Sequence, residues 1–138
     1  MNNFKRNIFR TREAEIFLSP IIHYNITASG LGQGFQLYDV TNSAILIENN
    51  GSNSFGDFPY IVGDTYKVGV YAFVDTGFSA TATMTVKSTN ILTNLTTELY
   101  YDSDSSTLEG TSVLVEYTFI AEENTYYEVT GAAIAGEM

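Results

Sequence analysis

The sequence predicts an all-β fold, an antiparallel β-sandwich or jelly-roll-like domain of about eight or nine short strands with an N-terminal arm. Segments in which apolar and polar residues alternate recur at about ten-residue spacing, with turn residues between them, which is typical of antiparallel sheets. Ten Tyr and nine Phe suit strands, as does the abundant Thr. The 138 residues are therefore divided into an arm (1–15) and a single β-sandwich domain (16–138).

The strongest alternation lies on both sides of the three residues 75–77 and predicts a β-hairpin over residues 65–87. A three-residue loop that ends in Gly77 suits a type I turn followed by a left-handed residue. This loop length places Val74 opposite Phe78 and pairs apolar with apolar residues along the ladder, whereas a two-residue loop puts half of them in water. We therefore expect the two strands to pair with each other and to organise the rest of the chain.

The same alternation predicts the other strands. In chain order they are 21–28, 35–40, 44–48, 58–62, one or two strands within 91–101, 112–121 and 125–130. We expect two long polar loops, over 49–57 and 102–110, and a second hairpin made of the last two strands. Both faces of 112–121 are partly apolar, so this strand is expected to be central or at a subunit contact. The residues after 130 are interpreted as a tail of small residues.

Charge is distributed unevenly along the chain, whose net charge is −10. The first twelve residues contain no acid and carry +4, whereas residues 13–138 carry two lysines and sixteen acids, a balance of −14. Such an acidic body repels phosphates, so we expect it not to bind nucleic acid. A basic arm favours an acidic partner, which could be a protein, a nucleic acid or the body of a neighbouring copy.

Targeting and redox signals are not apparent in the sequence. Arg10, Arg12, Glu13 and Glu15 interrupt the apolar core that a secretory signal needs, and no stretch approaches the ~20 apolar residues of a membrane span. We therefore expect no contact with a membrane, and a chain that stays in the cell where it is made or leaves by another route. The absence of Cys excludes disulfides and thiolate chemistry.

No catalytic motif emerges from the residues. Gly30, Gly32 and Gly34 do not have the G-x-G-x-x-G spacing and precede a strand, which favours a plain turn. His23, the single histidine, is expected to be a surface or packed residue, and one histidine is too few for a transition-metal site. No two of the sixteen acids are marked as a glycosidase pair. We expect a protein that is not an enzyme and holds no cofactor.

Asp102 and Asp104 alternate in the way that the oxygen ligands of a calcium loop do. Thr107 stands where such a loop has Gly, and Val113 where it has a closing Glu. The interpretation we favour is a solvated acidic loop, with a bound cation as the alternative.

Tyrosines form the other candidate site. Seven of them could make a sugar platform: Tyr38, Tyr60, Tyr71, Tyr100, Tyr101, Tyr126 and Tyr127. The chain has no Trp, and Tyr also fills strand positions and interface rims, which is the interpretation we favour. A carbohydrate-binding module or adhesin that uses the loops 49–57 and 102–110 is the alternative function.

Residues 63–70, GDTYKVGV, are similar to the turn-strand entry of many Ig-like and jelly-roll binding modules. With its charged leader 1–12 and a cysteine-free, acidic, Thr/Tyr/Gly-rich sandwich, the whole chain resembles in organisation the small auxiliary (head decoration) proteins of tailed bacteriophage virions. This resemblance implies a non-enzymatic virion protein, assembled in the host cytoplasm, that docks on a major capsid or other virion protein and forms homo-oligomers. The docking residues are expected to be Phe4, Lys5, Arg6, Ile8, Phe9, Arg10 and Arg12.

Overall fold

The computed structural model describes residues 18–28 and 32–137, which form nine strands and no helix. The strands are β1 (Ile22–Ala28), β2 (Gly34–Asp39), β3 (Ala44–Asn50), β4 (Ser54–Phe58), β5 (Thr65–Phe73), β6 (Phe78–Asn90), β7 (Thr96–Ser106), β8 (Ser112–Ile120) and β9 (Thr125–Glu137). They form a five-stranded sheet, in the order β4-β1-β9-β6-β7, and a four-stranded sheet, in the order β3-β2-β5-β8. The predicted all-β sandwich is confirmed, and the predicted arm over 1–15 lies outside the described residues.

The core lies between the two sheets. Apart from Phe78, which is 39% exposed, the alternating apolar residues of β5 and β6 point into it and are buried: Tyr66, Val68, Val70 and Ala72 from β5, and Ala80, Ala82, Met84 and Val86 from β6. Burying a Val, Met or aromatic side chain stabilises a fold by about 1.5–3 kcal/mol relative to leaving it in water. The alternation therefore identified the buried residues of these two strands correctly, with Phe78 as the exception.

The predicted pairing of these two strands is wrong. β5 pairs with β2 and β8, whereas β6 pairs with β7 and β9 in the other sheet. The turn at 75–77 is tight, since the Phe78 N–H donates to the Asp75 carbonyl at 3.0 Å and Gly77 has φ +80°. It nevertheless carries the chain across the core, because alternation specifies which side chains are buried but not whether the facing strand is a neighbour or lies in the other sheet.

The last two strands are separated in the same way, so the predicted second hairpin is also wrong. β8 lies at the edge of the four-stranded sheet rather than at its centre, and β9 lies in the five-stranded sheet. β9 continues to Glu137, where we had expected a tail, and it runs parallel to β1. Every other pair among the described strands is antiparallel.

The two long polar loops are mostly strand. β3 ends at Asn50 and β4 begins at Ser54, so the loop between them is short. β7 covers Thr96–Ser106, which includes most of the second predicted loop. An edge strand has no neighbour along one edge, so water reaches it and it tolerates polar residues such as Ser and Asp. This polar composition was mistaken for that of a loop.

Candidate functional site

A cleft of about 540 Å³ opens between the sheets at the end of the sandwich where β8 ends and β9 begins. Five of its lining residues are aliphatic or aromatic and four are polar. They are Leu99, Tyr117, Phe119, Ile120 and Tyr127, and Thr65, Ser88, Thr118 and Glu122. The cleft thus has apolar walls and a single charged group, which is negative.

A β-bulge in β7 shapes one wall of the cleft. Val86 of β6 lies opposite Tyr100, and the next residue, Lys87, lies opposite Glu98. Leu99 is therefore the extra residue, and it packs against the core. A bulge re-aims side chains at the edge of a sheet, and here it directs Leu99 into the opening between the two sheets.

Stacked rings form the opposite wall. The Tyr117 ring stacks on Phe119 with centroids 6.0 Å apart, and Phe119 lies 4.6 Å from Tyr127 across the core. Tyr100 of β7 stacks on Tyr117 of β8 at 5.1 Å, so that the edges of the two sheets meet beside the cleft. Rings at these distances gain about 0.5–1.5 kcal/mol beyond their buried area, which favours a preformed cleft.

Two tyrosine hydroxyls hold the turn that carries Glu122. The Tyr127 hydroxyl accepts a hydrogen bond from the Glu122 N–H at 2.9 Å. The Tyr60 hydroxyl lies 2.6 Å from the Glu122 carbonyl oxygen and 2.8 Å from that of Thr125, either of which can accept its proton. Asn124, in the same turn, has φ +55°, a conformation that Asn tolerates better than most residues. The backbone at the cleft mouth is therefore fixed.

Burial raises the pKa of the Tyr127 hydroxyl, and the nearby Glu122 carboxylate raises it further. The pKa of Tyr60 is raised for the same two reasons, burial being the larger. Both hydroxyls therefore stay protonated well above neutral pH and keep their hydrogen bonds. Among the lining residues, only Glu122 carries a charge at pH 7, so the cleft suits an apolar group next to a cation.

The acidic loop expected at Asp102 and Asp104, for which a bound cation was the alternative, does not form, because both residues lie inside β7. Each carboxylate accepts a hydrogen bond from the next backbone N–H, that of Ser103 at 2.8 Å and that of Ser105 at 2.9 Å. Within 18–28 and 32–137, no three His, Cys, Asp or Glu side chains gather where they could hold a metal ion.

The seven tyrosines do not form one platform. Tyr60, Tyr100 and Tyr127 lie around the cleft. The others lie on the outer faces, Tyr101 and Tyr126 on the five-stranded sheet and Tyr38 and Tyr71 on the four-stranded one. The segments 49–57 and 102–110 meet opposite edges of the five-stranded sheet, at β4 and β7, so they do not make a joint site.

A second cluster, which we call the outer patch, consists of His23, Phe55, Asp57 and Tyr126. His23 Nδ1 lies 2.6 Å from the Asp57 carboxylate. The His23 ring meets Phe55 edge-on at 5.3 Å and stacks on Tyr126 at 6.2 Å, while Phe55 is 71% exposed. His23 was expected to be a surface or packed residue, and the patch was not predicted. Its members come from β4, β1 and β9, and alternation does not reveal how these strands pair.

The seven predicted docking residues, Phe4, Lys5, Arg6, Ile8, Phe9, Arg10 and Arg12, lie outside the described residues. The point where the chain enters the sandwich is described. The Ile21 carbonyl accepts a hydrogen bond from the Tyr127 N–H at 2.9 Å, so the N-terminal segment leads to a residue that lines the cleft.

No protein-family model matches the chain, and no curated protein matches it significantly. Among the residues that the structure describes, none belongs to a helix capable of crossing a membrane.

Proposed function

We propose that the chain is a non-enzymatic structural protein that docks on an acidic protein surface through residues 4–12, as an auxiliary or decoration protein of a phage capsid. The observation that carries this proposal is the separation of charge. Fourteen of the sixteen acids and two lysines lie in the described body, a balance of −12, and the four remaining bases lie in the first twelve residues.

Within residues 18–28 and 32–137, most acids have no cation from the same part of the chain beside them. Between described residues, two contacts join acids to possible cations, His23 with Asp57 and Lys67 with Glu116 at 3.8 Å. The sandwich therefore repels other acidic surfaces, and the basic segment provides the attraction. Each exposed ion pair contributes only about 0.2–1 kcal/mol, so stable docking depends on several pairs and on many copies held side by side.

The proposal is tested by neutralising the basic segment while its length and apolar residues are kept. A variant that carries Gln at Lys5, Arg6, Arg10 and Arg12 is compared with a control that carries Gln at Lys67 and Lys87. The number of copies on gradient-purified particles, from a culture that encodes the chain, is measured by quantitative immunoblotting. The first variant should be lost from the particles and the control retained. Equal occupancy of both, or absence of the wild-type chain from particles, would contradict the proposal.

The outer patch supports a second candidate, a carbohydrate-binding module or adhesin. Phe55 offers an exposed ring at the surface, next to His23, which stacks on the half-buried Tyr126. Asp57 and His23 offer polar groups beside these rings, and this combination stacks on and hydrogen-bonds a sugar. A glycan array with and without calcium tests this candidate. Phe55→Ala should abolish a signal that Tyr38→Ala, on the other sheet, retains; silence of the wild-type chain in both conditions would end it.

A further inference from the structure

The cleft between the sheets lies at the same end of the sandwich as the entry of the N-terminal segment. The cleft is lined by Ser88 near the end of β6, Leu99 near the start of β7 and Tyr127 near the start of β9. Ile21, the residue before β1, is hydrogen-bonded to Tyr127. β1 and β6 are separated only by β9, so the entry point lies about 10 Å from the cleft, two strand spacings away.

The composition of the N-terminal segment matches the cleft. The segment contains three large apolar residues, Phe4, Ile8 and Phe9, interspersed with four cations, whereas residues 13–138 contain only two lysines. The cleft offers Leu99, Phe119 and Tyr127 as apolar walls and Glu122 as the charged group at its mouth. An aromatic side chain flanked by Lys or Arg therefore fits the site in both polarity and charge.

We propose that the cleft binds the chain's own N-terminal segment, with Phe9 inserted between Leu99 and Phe119 and a neighbouring cation beside Glu122. The inference rests on the proposed docking role of residues 4–12 and adds the site that this segment occupies before the chain joins its assembly. The acidic protein surface on which the chain docks then competes with the cleft and its Glu122 for residues 4–12.

Chain length favours the chain's own cleft over that of another copy. The eleven residues between Phe9 and Ile21 make twelve Cα–Cα steps, which reach up to about 40 Å when extended, well beyond the separation to be covered. A tether of this length gives an effective concentration in the millimolar range, above that of a second molecule in dilute solution.

A cysteine cross-link tests the placement, since the chain has no cysteine of its own. Ile8→Cys is combined with Thr118→Cys at the exposed mouth of the cleft, and in a matched control with Thr27→Cys, which is exposed on the outer face at the far end of β1. The first pair should oxidise within one chain roughly tenfold faster than the control, since docking raises the local concentration of the two thiols. Equal rates, or a disulfide that forms only between two chains, would overturn the proposal.

A fluorescence measurement gives a second readout. The chain has no Trp, so Phe9→Trp reports on the segment alone. The emission maximum of this Trp should lie at short wavelength and should not change when the protein is diluted. Thr118→Arg, which blocks the mouth of the cleft, should move the maximum to the wavelength of water-exposed Trp. The control Thr27→Arg should leave it unchanged. Emission typical of exposed Trp in the unblocked chain would overturn the proposal.

The two proposals fail in distinguishable ways. If the cross-link does not form but neutralising the basic segment still removes the chain from particles, the cleft is not the resting site and the docking function stands. If the cross-link forms but occupancy is unchanged by neutralisation, the cleft binds the segment and the docking function is wrong.

Discussion

The carboxylate of Asp102 accepts a hydrogen bond from the backbone N–H of Ser103 at 2.8 Å, on the free edge of β7. Asp104 makes the same contact with Ser105 at 2.9 Å. β7 is the last strand of its sheet, and the unpaired N–H groups of such a strand are a template for an added strand. The two aspartates therefore satisfy donors that another chain would use, and their charge opposes its approach.

Replacing Asp102 and Asp104 with Ala should increase self-association, because the edge donors become free and two charges are lost. The free energy of unfolding should change by less than about 1 kcal/mol, as is usual for exposed positions. Light scattering over time at a fixed protein concentration measures the effect. Glu98→Ala, which also removes a carboxylate from β7, is the control and should remain monodisperse; equal scattering by both variants would refute the role of the edge.

Tyr60→Phe should lower the free energy of unfolding by about 1–2 kcal/mol, because the Glu122 and Thr125 carbonyls lose the hydroxyl that lies 2.6 and 2.8 Å away. Urea denaturation followed by circular dichroism measures this difference. Tyr101→Phe removes a hydroxyl from an exposed ring and should leave the free energy unchanged. A Tyr60 variant as stable as the wild type would show that the turn is not held in this way.

Alkaline pH should destabilise the fold through tyrosines that folding buries or half-buries. Burial raises the pKa of Tyr60, Tyr66 and Tyr127 above 10.0. Above about pH 10 the unfolded chain therefore binds fewer protons than the folded one, and the free energy of unfolding falls. The stabilisation is complete below pH 10 and is lost as the pH rises through the folded-state pKa values.

Denaturation at a series of pH values between about 9 and 12 checks this prediction. Tyr127→Phe should give a shallower decline than the wild type, because one of the shifted groups is gone. A wild-type stability that stays constant across this range would contradict the assigned burial.

Gly131→Ala should destabilise the sandwich by about 1–3 kcal/mol, as overpacking does. Gly131 lies in β9 opposite Met84 of β6, and a Cβ added there collides with the backbone carbonyl oxygen of Thr83. Gly69 is also a strand glycine, but a Cβ there stays 3.5 Å from its nearest neighbours, so Gly69→Ala is the control. Thermal melts of both variants measure the difference, and equal melting temperatures would refute this packing.

The sequence was sufficient to predict the faces of the strands but not their partners. Val68 and Met84 were expected to be buried, and both are; they were also expected to face each other in one ladder, yet they lie in different sheets. Two strands that face each other across a core carry the same alternation as two that are paired, so only long-range packing distinguishes the arrangements.

The candidate sites were harder to predict for the same reason. Leu99 enters the cleft because of a bulge, and Phe55 and Tyr126 lie on the two sides of His23 because β1 lies between β4 and a parallel β9. Neither feature leaves a local signal in the sequence. Asp102 and Asp104 were interpreted as part of a solvated acidic loop, with a bound cation as the alternative, but their alternation is that of an edge strand.

Occupancy of purified particles by a chain that lacks residues 2–12 is the most direct test of the central claim, that a cationic segment docks an acidic sandwich. Circular dichroism first establishes that the truncated sandwich is folded, and the two chains are then counted on particles from parallel cultures. The account predicts that the truncated chain is absent from particles that carry the full-length chain. A truncated chain that joins its assembly at full occupancy would contradict it.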